Sequence, residues 1–77
     1  MKVIENYNLN NLVNKYGFEK VSYTNFDVYK YILNDLHRSI TLSSDDRTLR
    51  LNQQGVDNEL PDVLIDLITD GVVCTGN

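Results

Sequence analysis

The chain has no tryptophan and no alanine, and only one cysteine, one histidine and one proline in 77 residues. A lone thiol, Cys74, leaves no disulfide framework within the chain, and small secreted domains are normally stapled by several. The expectation is therefore a reducing, cytoplasmic setting. One Cys and one His far apart in sequence argue against a zinc site. The four glycines are isolated, which argues against a phosphate-cradling loop. No apolar run approaches the ~20 residues of a membrane span. At Met1-Lys2-Val3-Ile4-Glu5-Asn6 the apolar run stops after two residues, unlike a signal peptide. Basic residues are absent after Arg50.

What remains is an ordinary globular balance, 42% hydrophobic and 23% charged, too apolar for disorder. A chain of this length holds one core, so residues 1–77 are expected to form a single domain. Ten Asn and five Tyr, residues that like Ile and Lys are encoded by AT-rich codons, fit an AT-rich genome such as that of a low-GC bacterium or its phage. Charge is unevenly placed. Residues 1–55 carry seven bases and six acids, whereas residues 56–77 carry five acids (Asp57, Glu59, Asp62, Asp66, Asp70) and no base.

Leu9, Leu12, Val13 and Tyr16 lie at i, i+3, i+4 and i+7, and predict a helix over 9–16. Asn8 would cap it, Tyr7 would staple against Leu12, and Gly17 would end it, with Phe18 as the following apolar contact. Residues 38–53 predict a hairpin. Ile40 and Leu42 alternate with polar residues, as do Leu49 and Leu51, around a Ser44-Asp45-Asp46 turn. Residues 18–37 fit two periods. Period 2 gives strands over 19–23 and 27–33; period 3.6 gives a helical stripe of Phe26, Tyr29, Leu33 and Leu36. The Val, Tyr and Ile content favours strands. Leu60, Val63, Leu64, Leu67 and Ile68 predict a last helix over 60–70, with Pro61 in its first turn and Gly71 at its end. The tail after Gly71 would add a short edge strand or fray.

The expected fold is a small α+β domain of order α-β-β-β-β-α. An antiparallel three- or four-stranded meander carries an N-terminal and a C-terminal helix packed on one face. Its expected core is Leu12, Val13, Tyr16, Ile40, Leu42, Leu49, Leu51, Leu64, Leu67 and Ile68.

Little chemistry is encoded. Asp35 could orient the imidazole of His37, with Ser39 or Cys74 as nucleophile. The same residues suit a solvated turn between strands, and the turn is the expectation. Asp45-Asp46 and Asp57-Asn58-Glu59 offer oxygen ligands without the spacing of a calcium loop. No catalytic, cofactor-binding or metal-ligating residue is assigned, and no enzyme is expected. Tyr29 and Tyr31 share one strand face near Lys20, Lys30, Arg38 and Arg50, a pattern that can stack bases. Clustering of six of the seven aromatics over 16–31 suits a core instead, and the net charge of −4 opposes a polyanion.

The feature with most functional content is the acidic row Asp62, Asp66 and Asp70. At i, i+4 and i+8 the carboxylates stand ~6 Å apart along the helix. Such like-charge pairs cost ~0.2–0.5 kcal/mol each. Ile65 sits beside the row, away from the apolar stripe. A solubilising face explains this pattern, and so does a contact surface formed by Asp62, Ile65, Asp66 and Asp70. The functional expectation is a non-enzymatic interaction module that meets a basic protein surface, for example an inhibitor presenting carboxylates where phosphates would bind. The alternative is a nucleic-acid-binding or regulatory accessory protein using the sheet. A homo-oligomer is compatible with both.

Overall fold

The structure, a computed structural model, describes residues 1–33, 38–53 and 60–74. In chain order the elements are β1 (Lys2–Val3), α1 (Asn10–Tyr16), β2 (Glu19–Ser22), β3 (Asp27–Ile32), β4 (Arg38–Ser43), β5 (Leu49–Gln53), α2 (Asp62–Thr69) and β6 (Val73–Cys74). Strands β2-β3-β4-β5 form an antiparallel four-stranded meander, and β1 pairs antiparallel with β6. This is the expected α+β architecture with one addition, the small β1–β6 ribbon.

Period 2 prevails over 18–33 because β3 lies inside the sheet. Tyr29 stands opposite Leu42, and Tyr31 opposite Ile40. Both tyrosines therefore share the inner face, and backbone groups on both sides of β3 find ladder partners. A helix here would forfeit both ladders. Of the helical stripe considered for this segment, Leu36 lies outside the described residues, as do Asn34, Asp35 and His37.

Tyr29, Ile40, Leu42 and Leu49 from the sheet pack with Leu9 and Leu12, and with Val63, Leu64 and Leu67 of α2, in one core. Both helices thus cover the same face. Leu12, Ile40, Leu42, Leu64 and Leu67 are the largest fully buried side chains. Each contributes ~1.5–3 kcal/mol of transfer free energy. Tyr16, Leu51 and Ile68 are partly buried against this core.

The predicted core needs one correction, and the predicted last helix another. Val13 is exposed, because the buried side of the short α1 runs through Leu9 and Leu12 and leaves Val13 on its flank. Leu60, placed on the apolar face of the last helix, lies before that helix and is exposed. The core also takes Val3, Phe18, Val72 and Val73, which belong to no long periodic segment.

Local signals set the helix ends. The Asn8 side chain accepts from the Asn10 N–H (3.0 Å), so it serves the first turn although Leu9 holds the formal cap position. Gly17 adopts φ 83°, and its amide and that of Phe18 return to the Leu12 carbonyl. Pro61 is the N-cap of α2, one position earlier than expected, and its carbonyl receives the Leu64 and Ile65 amides. At the other end Gly71 has φ 77°, the Gly71 amide bonds to Ile68 and the Val72 amide to Leu67. This is the Schellman arrangement, closed by two buried residues, Leu67 and Val72.

The turn between β4 and β5 is built from side-chain oxygens. Ser44 Oγ accepts from the Asp27 amide, and the Ser44 amide donates back to the Asp27 carbonyl. Asp45 accepts from the Ser43 hydroxyl and the Asp46 amide. Asp46 accepts from the Thr48 amide and pairs with Arg50 at 2.9 Å. The Arg50 guanidinium, with the Thr48 amide, holds the Asp46 carboxyl below the usual carboxylate range. Arg47, at φ 55°, turns its guanidinium onto the carbonyls of Ile4 (3.0 Å) and Tyr7 (3.1 Å). That residue clamps the segment joining β1 to α1 against the hairpin turn. Beside it, Lys2 bridges to Thr48 and the Leu49 amide donates to Met1.

Candidate functional site

The apolar stripe of α2 faces the core, so the residues between its members face outward. Val63, Leu64 and Leu67 are buried, whereas Asp62, Ile65, Asp66 and Asp70 are exposed. The four residues proposed from spacing therefore share the solvent side of one helix. Ile65 keeps 44% of its surface, large for an isoleucine with a core within reach. Among the described residues, no ion pair joins Asp62, Asp66 or Asp70 to a lysine or arginine.

The row is not uniform. Asp62, in the first turn of α2, is favoured by the positive end of the helix dipole. Asp70, at the opposite end, lacks that support. It accepts instead a 2.5 Å hydrogen bond from the Tyr16 hydroxyl at the end of α1. This contact spans 54 residues in sequence, and no local pattern announces it. Asp70 is thus a strut between the helices as well as a surface charge, while Asp62 and Asp66 have no such tie among the described residues. The bond to Asp70 and partial burial push the Tyr16 hydroxyl up to about 12. The hydroxyl of Tyr7, buried near the same helix junction, is also raised, mainly by desolvation.

The sign of the Tyr16 shift sets a pH window. The folded state holds the neutral phenol more strongly than the unfolded chain does, so this contribution is complete below about pH 10. It is lost as pH rises from there through about 12. Tyr16→Phe is expected to cost about 1 kcal/mol at neutral pH and to remove this part of the alkaline loss. Thermal melts of both chains at rising pH provide the check. Parallel decline in the two would show that the Tyr16–Asp70 bond does not contribute.

The two tyrosines that the nucleic-acid alternative rests on lie on the inner, helix-covered face of the sheet. Tyr29 is buried and Tyr31 half-buried, both on the inner face, and Phe18 packs on Tyr31 at 5.4 Å. Cations divide between the faces. Lys20 lies over the Tyr29 ring on the inner side, while Lys30, Thr41 and Arg50 share a cross-strand row on the outer side. The exposed aromatics are Tyr23 and Phe26, stacked at 5.1 Å at the tip of the β2–β3 hairpin.

His37 and the Asp57-Asn58-Glu59 group lie outside the described residues. Cys74 is exposed on β6, opposite Lys2. Asp45 Oδ1 and both carboxylate oxygens of Asp46 are engaged by the turn itself. Comparison of the chain with protein-family models, with curated protein sequences and with solved structures gives no significant match.

Proposed function

We propose that this chain is a non-enzymatic interaction module that binds a basic protein surface through the solvent side of α2. The observation that carries it is the exposed Ile65 flanked by Asp62 and Asp66, with no described lysine or arginine paired to either carboxylate. Carboxylates in water steer a cationic partner and set its orientation. An apolar residue among them supplies the desolvated contact that carboxylates alone lack. One form of this function is inhibition of a nucleic-acid-binding protein, with the row of carboxylates occupying positions meant for phosphates. The split of aromatics and cations between the two sheet faces weighs against the nucleic-acid-binding alternative.

The test separates binding from folding by sparing Asp70, which Tyr16 uses. With a partner identified by cross-linking, Asp62→Asn/Asp66→Asn is expected to weaken binding about tenfold or more and to flatten its salt dependence. Ile65→Asp, which adds charge but removes the apolar contact, is expected to weaken it as well. Unchanged affinity in both variants, with melting temperatures intact, rules this surface out.

A further inference from the structure

We draw no further inference here: the strongest candidate, the exposed apolar patch of Val21, Tyr23 and Phe26 at the β2–β3 hairpin, is an unpartnered surface, and nothing in the structure shows what covers it.

Discussion

Leu64→Ala is expected to lower the unfolding free energy by about 2–5 kcal/mol. Leu64 is fully buried, between the inner face of the sheet and the rest of the core. Truncation removes its transfer free energy and leaves a cavity that a packed interior closes only in part. A domain of this size has about 4–12 kcal/mol in total, at 0.05–0.15 kcal/mol per residue. The variant should therefore approach or reach the unfolding threshold. The adjacent Ile65→Ala, on the exposed side, should stay within about 0.5 kcal/mol of the parent. Urea denaturation of the pair measures the contrast. A cost under about 1 kcal/mol for Leu64→Ala would mean that α2 does not seal the core as described.

Arg47→Ala is expected to cost about 2–3 kcal/mol, through lost charge-assisted bonds to the Ile4 and Tyr7 carbonyls. The consequence should be local first. Strand β1 has two residues and cannot hold itself in place. Amides of Val3 and Ile4, which donate to Arg47 and Val72, should lose hydrogen-exchange protection before the central strands do. Arg47→Gly separates the two roles of the residue. It loses the guanidinium but relieves the left-handed backbone, a gain of about 1 kcal/mol, so it should be the milder change. Equal stability of Arg47→Ala and the parent would show the clamp to be incidental.

Elements with a strong local period were legible without coordinates. The α1 stripe, with Asn8 before it and Gly17 after it, identifies its helix within one residue. The alternation of Ile40, Leu42, Leu49 and Leu51 identifies the second hairpin, because a half-buried strand exposes every other side chain. The outward placement of Asp62, Ile65 and Asp66 followed from the same geometry. A helix that buries Val63, Leu64 and Leu67 must turn the intervening positions to water. Segment 18–33 was less legible. Its aromatics fit both periods, and only the cross-strand partners Leu42 and Ile40 make the strand arrangement better.

Sequence by itself thus determined the α+β class, both main helices, the second hairpin and the acidic side of α2, since each depends on neighbours within a turn or a pleat. Tertiary structure decided the rest. It pairs Lys2–Val3 with Val73–Cys74, two segments too short to show a period, at opposite ends of the described chain. It brings Tyr16 to Asp70, making one residue of the acidic row a strut. It turns Val13 and Leu60 outward although both are apolar, and it leaves β2 as an open edge. The physical reason is common to all four. Burial and hydrogen bonding at these positions depend on which distant surface arrives there, and a local pattern records only which face is apolar, not what will cover it.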